Sequence, residues 1–158
     1  MTRSVTKIGL AVALAASVGI AAWGAAAQDK LAVVKDRQQT MKTLGASMKS
    51  IKEYLDGKEG DQAKATESAE KIHQIAQIIP TKFPQGTGMD VVPDSGAKPV
   101  VWSDWDKFLG HQKELVAESE KLVTAAKSGD KAKLQAQFAA TGKQGCGGCH
   151  DIFRQKKT

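Results

Sequence analysis

The sequence predicts an all-α protein, a four-helix bundle with one long crossover loop. Three observations carry that prediction. Apolar residues recur at three-, four- and seven-residue intervals along most of the chain, the period of one helix face. Glycines, prolines and helix-capping residues cut that pattern into four segments, with a single long aperiodic stretch, Thr81 to Pro99, between the second and third. The 131 residues from Gln28 to Thr158 amount to one domain and suit four helices.

The first segment starts at Leu31. Val34, Met41, Met48 and Leu55 lie seven apart, with Leu31, Leu44 and Ile51 filling the face and polar Gln38 interrupting it. Gly57 and Gly60 end it, and Asp61 is placed to cap the next helix. That second helix carries Ala65, Ala69, Ile72, Ile75 and Ile79, and Pro80 stops it. The connection from Thr81 to Pro99 is long for a compact domain, and loops of that length usually serve function or wrap something. The third helix begins near Ser103 or Asp104, either of which can cap it, and repeats Phe108, Leu115 and Leu122 at seven. Trp102, Trp105 and Phe108 are expected to pack the core near the crossover. Lys127-Ser128-Gly129 closes the third helix and Asp130 caps the fourth, which carries Leu134, Phe138, Cys146, Cys149 and Phe153. Gly142, Gly145, Gly147 and Gly148 weaken its second half, each by about 1 kcal/mol relative to Ala.

Residues 1–27 read as a cleaved secretory signal peptide. Arg3 and Lys7 form a basic start, Ile8 to Ala22 an apolar core, and Ala25-Ala26-Ala27 a small-residue cleavage site. The apolar run falls short of the roughly 20 residues a spanning helix needs, so stable membrane insertion is not expected. An uncleaved N-terminal anchor is the alternative. The leader places residues 28–158 in the periplasm. Losing Arg3 and Lys7 lowers the formal charge from +6 to +4, and the remaining lysines are scattered. Such a modest excess gives nucleic-acid binding little support.

Both cysteines of the chain and one of its three histidines stand together in Cys146-Gly147-Gly148-Cys149-His150, with eight residues following. C-x-x-C-H is the attachment signature of c-type haem. Two thiols at that spacing add to the two vinyl groups of one haem, and the adjacent neutral imidazole reaches the iron from the proximal side. A C-x-x-C pair alone also suits a redox dithiol or half a zinc site. No second ligand pair stands nearby for zinc, and the helical pattern lacks the βαβ context of a thioredoxin-like dithiol. Nothing after His150 can ligate iron, so a distal protein ligand must come from Met41, Met48, Met89, His73 or His111. Methionines on an apolar face are also ordinary core filler, and helix histidines are ordinarily part-solvated side chains.

With the motif in the last helix of a four-helix bundle, the chain resembles the class II c-type cytochromes over Gln28–Thr158. The resemblance rests on Cys146–His150 followed by Asp151, Phe153 and Arg154, on Arg37-Gln38, Met41 and Gly45, and on Phe83-Pro84, Gly86-Thr87, Lys98-Pro99 and Trp102. The family holds high-spin cytochromes c′ and low-spin relatives of the cytochrome c-556 type. It implies one covalently attached haem c on the C-terminal helix, bound by Cys146 and Cys149, with His150 as iron ligand. It also implies that Met41 occupies the distal position, that Arg37 and Gln38 lie at the haem edge, with Arg37 near a propionate, and that Arg154 stands on the proximal side. A homodimer through the first two helices is a further family-level implication. Gly147-Gly148 departs from the larger or charged residues commoner in the family.

The leading functional expectation is a periplasmic electron carrier that works through a His150/Met41-ligated iron and exchanges electrons with periplasmic redox partner proteins. No constellation of general acid, base and nucleophile suggests an enzyme. The alternative is a high-spin cytochrome c′ whose open distal face binds NO or CO. A thiol oxidoreductase built on Cys146 and Cys149 is a third reading.

Overall fold

The computed structural model describes residues 18–156, with side chains described from Asp29 onward. Four long helical elements follow the expected order: α1 (Val18–Leu55), α2 (Gln62–Ile78), α4 (Trp105–Lys127) and a last element made of α5 (Lys131–Ala140), a π-helical stretch (Thr141–Gly147) and α6 (Gly148–Phe153), with the four-residue turn α3 (Val100–Ser103) between α2 and α4. Among the described residues there is no strand, only one antiparallel bridge between Ala97 and Arg154. No described helix is long and apolar enough to cross a membrane. Residues 1–17 of the expected leader lie outside the described residues, and the backbone of 18–27 forms the start of α1.

Local chemistry explains most boundaries. Gly57, at φ 68°, takes the left-handed turn after α1 that a side chain would strain. Asp61 accepts from the Lys64 N–H at 2.8 Å and caps α2. Asp130 caps α5 in the same way, accepting from Ala132 N at 3.0 Å and Lys133 N at 3.1 Å. Pro80 does not simply stop α2. It enters a 3₁₀ turn, Ile79–Lys82, near its start, where a missing N–H costs nothing.

The third helix departs from expectation at its start. Asp104 precedes α4 but its side chain makes no capping bond, because Val100–Ser103 already form a turn that donates Asp104 N–H to Val100 O. The fourth departs in its second half. Rather than a weakened α-helix, Thr141–Gly147 widens to a π-helix. Gly145 explains how close it lies: a Cβ there would stand 2.8 Å from Leu115 Cδ1 and 3.4 Å from Leu115 Cα.

α2 packs along both α1 and α4, and the π-helical stretch lies on α4. The interior divides into two clusters. One centres on Phe108, whose ring meets Phe83 at 4.8 Å, Trp105 at 5.1 Å and Phe153 edge-on at 5.4 Å. The other, at the far end, is built from Ile51, Ile72, Leu122 and Leu134. Each buried large aliphatic or aromatic side chain there contributes about 1.5–3 kcal/mol through the water it leaves.

Candidate functional site

Cys146 and Cys149 are half-buried, unpaired as a disulfide, and packed against the Phe108 cluster. Burial pushes the Cys146 thiol up, and burial together with Cys146 pushes the Cys149 thiol up to about 11. A dithiol oxidoreductase needs the opposite, a thiol whose acidity favours thiolate. Among the described residues no three His, Cys, Asp or Glu side chains group as metal ligands. Neutral, apolar-set thiols are suited to permanent thioether bonds.

His150 follows on α6 and is half-buried. Its imidazole titrates below the ordinary histidine value, chiefly through burial and secondarily through the charge of Arg154, with Asp151 opposing. The fold therefore favours the neutral ring, the form with a lone pair for iron. Arg154 is exposed and starts the tail, its N–H donating to His150 O at 3.2 Å.

Of the upstream candidates, Met41 is the one that joins the cysteines. Its half-buried side chain packs against the same cluster as Cys146 and Cys149, with Leu44 beside it. Yet no Cα of α1 comes within 8 Å of a Cα of the π-helical stretch or α6 among the described residues. Side chains alone reach across that separation. Gly45, one turn after Met41, is exposed, and a Cβ there would meet no protein atom.

The other candidates lie elsewhere. Met48 packs in the far cluster. Met89 is exposed on the crossover. His73 is satisfied by Ser119 Oγ at 3.1 Å and Gln77 Nε2 at 2.8 Å. His111 sits behind the cysteine segment: its Nδ1 would be 3.6 Å from a Cβ on Gly148, and its ring meets Phe153 edge-on at 5.8 Å. That Nδ1 is buried without a hydrogen bond, and the Glu114 carboxylate lies 3.5 Å away.

Arg37 has a role that sequence reasoning did not reach. It is only 4% exposed, so it is no solvated helix charge. Nη1 donates to Thr87 Oγ1 at 3.0 Å and Nη2 to Thr87 O and Ser95 Oγ, both at 2.8 Å. The guanidinium also lies 4.6 Å from the Phe83 ring centre. Gln38 reaches the same loop, donating to Asp94 O at 2.8 Å. Burial draws the Arg37 pKa down, and no carboxylate pairs with it among the described residues. Nη1 also donates to Lys82 O at 3.4 Å, so both Nη groups are taken up by neutral acceptors of the crossover region. No single-sequence signal marks Thr87 or Ser95 as its partners, because they lie 50 and 58 residues away.

A surface depression lined by Asp61, Gln62, Thr66, Glu70 and Lys127 is remote from this site. The distance along α4 from His111 to Lys127 is roughly 24 Å.

The family model described as Cytochrome C′ matches residues 32–154. A cytochrome c′ from Pararhodospirillum photometricum is 35% identical over 124 residues, 78% of this chain and 97% of that one. A cytochrome c-556 from Agrobacterium tumefaciens is 31% identical, over 78% of this chain and 98% of the relative. Among solved structures, a nitric oxide complex of a mutant cytochrome c prime from Alcaligenes xylosoxidans superposes with TM-score 0.70 at 27% identity, covering 80% of this chain and 97% of that one.

Proposed function

We propose, for a chain that belongs to the cytochrome c′ family, that it binds nitric oxide or carbon monoxide at an apolar distal face over its haem iron. The cofactor is one covalently attached haem c, which supplies the iron and its redox chemistry. In this reading Cys146 and Cys149 hold it by thioether bonds, His150 is the proximal ligand, and Arg37 with Gln38 faces its edge. The observation that carries the reading is the placement of Met41. Met41 shares one apolar cluster with both cysteines, while no α1 Cα comes within 8 Å of a Cα of the π-helical stretch or α6 among the described residues. Met41 and Leu44 thus form a wall of side chains without a charged group, which favours small neutral diatomics and penalises anions. The nitric oxide complex of the Alcaligenes xylosoxidans relative supports the same ligand class.

One observation favours a second reading. The side chain over the site is a thioether, and a relative at 31% identity is a cytochrome c-556. If Met41 bonds iron, the protein is a low-spin electron carrier, and the weak thioether is what a gas must displace. In either case the mature chain 28–158 acts in the periplasm with redox partner proteins, and pairs as a homodimer through α1 and α2.

Optical and electron paramagnetic resonance spectra of the purified protein, with Met41→Ala beside it, test the choice. A high-spin parent that binds carbon monoxide, with a spectrum little changed in Met41→Ala, is expected. A low-spin parent that turns high-spin and gains carbon monoxide binding in Met41→Ala would transfer the assignment to electron transfer.

A further inference from the structure

The crossover grips both sides of the site within five residues. On one side it holds α1: Asp94 O accepts from Gln38 Nε2 at 2.8 Å, and Ser95 Oγ accepts from Arg37 Nη2 at 2.8 Å. Arg37 lies one helical turn before Met41. On the other side it holds the tail of the cysteine segment. Gly96 O accepts from Gln155 N at 2.8 Å, Ala97 bridges Arg154, and Lys98 N donates to Phe153 O at 2.9 Å. Phe153 stands three residues after His150. Ser95 is central to both grips, since its Oγ also accepts from Ala97 N at 3.1 Å.

The centre of this grip is sheltered: Arg37, Thr87, Ser95 and Ala97 are buried, so water competes little for the Ser95 bonds. The Gln38–Asp94 bond and the tail residues Arg154 and Gln155 are exposed. Between Asp94 and Lys98 the chain spans roughly 14 Å at full extension. The other route from α1 to His150 runs through α5, which α1 meets directly, and then along the π-helical stretch. At the site itself, where no Cα of α1 comes within 8 Å of a Cα of α6, the crossover is the short connection between the two.

We infer that residues 94–98 are a strap that sets the separation between the Met41 turn of α1 and the His150 turn of α6, with Arg37 and Ser95 as its positioning residues. The inference rests on the assignment of the haem between those two turns. The strap determines how far Met41 stands from the iron, and so how much room a diatomic ligand finds. A longer or looser strap lets α1 draw back.

The test lengthens the strap without removing any bonding group. One glycine is inserted between Ser95 and Gly96 in the full haem-loaded protein. A control inserts one glycine between Lys58 and Glu59, in the exposed turn from α1 to α2 that links neither grip. Mass spectrometry confirms haem attachment and circular dichroism the fold. The readouts are carbon monoxide affinity of the reduced protein and the high-spin fraction by optical and electron paramagnetic resonance spectroscopy. The strap insertion is expected to raise affinity about fivefold or more, at the low end of what coupled sites show, and to raise any incomplete high-spin fraction. The control should stay near the parent. If the strap insertion does not fold, Ser95→Ala, which loosens both grips by one side chain, takes its place in the same measurements. A folded, haem-loaded strap variant with the parent's affinity and spectrum overturns the inference. Should the parent bind no carbon monoxide, the gas reading fails on its own, and the strap is judged by whether the insertion makes a low-spin parent high-spin.

Discussion

Glu118 on α4 is 7% exposed, yet the Lys121 ammonium that pairs with it at 2.7 Å stands mostly in water. It is a rim carboxylate, screened on one side. The Lys121 bond, then a 2.6 Å bond from Gln137 Nε2, holds its carboxyl below the ordinary value of 4.5 against the opposing effect of burial. A depressed carboxyl contributes stability that is present above the unfolded value and lost as pH falls through the folded one. Glu118→Gln is therefore expected to cost about 1 kcal/mol at pH 7, the worth of such a bond near a surface. The difference from the parent should shrink progressively below pH 4.5 and vanish in stronger acid. Urea titrations across that range check it, and a deficit that stays constant with pH would show that packing, not charge, holds Glu118. At this scale the Cys146, Cys149 and His150 motif was legible from spacing, since thioether attachment of a haem would demand that pattern. Arg37 was legible only as a residue type; its burial against Thr87 and Ser95 was not.

The π-helical stretch is the element that the sequence described least well. Its glycines signalled weak helix but not a wider one, since the choice depends on what the segment rests against. Gly145 rests on Leu115, which is itself buried and has little room to turn its tip aside. Gly145→Ala would gain about 1 kcal/mol in helix propensity. The clash at 2.8 Å with Leu115 Cδ1 opposes that gain, and overpacking of this kind costs about 1–3 kcal/mol. The steric cost outweighs the gain in propensity, so the variant is expected to be destabilised. A double-mutant cycle with Leu115→Ala provides the check: the two together should cost less than their sum. Additive costs would mean that the helix relaxes away from Leu115 freely. The capped starts of α2 and α5 need no such context, because Asp61 and Asp130 bond N–H groups two or three residues on.

Across the whole molecule, α1 reaches the cysteine segment through side chains and the crossover, not through helix-on-helix packing. A haem seated between them would supply the missing contact area. Replacing Cys146 and Cys149 with alanine is accordingly expected to lower helicity and broaden the thermal transition, since a cooperative melt needs one continuous packed interior. Circular dichroism melts of the double variant and the haem-loaded parent test this. An equally sharp and equally high melt without haem would show that four helices close on themselves.

The sequence by itself determined the helical segments, the long crossover, two of the caps and the C-x-x-C-H motif. Each of these is written in residues within about two helical turns of one another, where backbone geometry and covalent chemistry leave few choices. Tertiary structure decided which methionine joins the cysteines, why His73 is spoken for, where α4 begins, and that Arg37 holds the crossover. The placements of His73 and Arg37 turn on partners 46 and 58 residues away, Ser119 and Ser95. Periodicity says that a side chain faces inward; only packing says what it meets there.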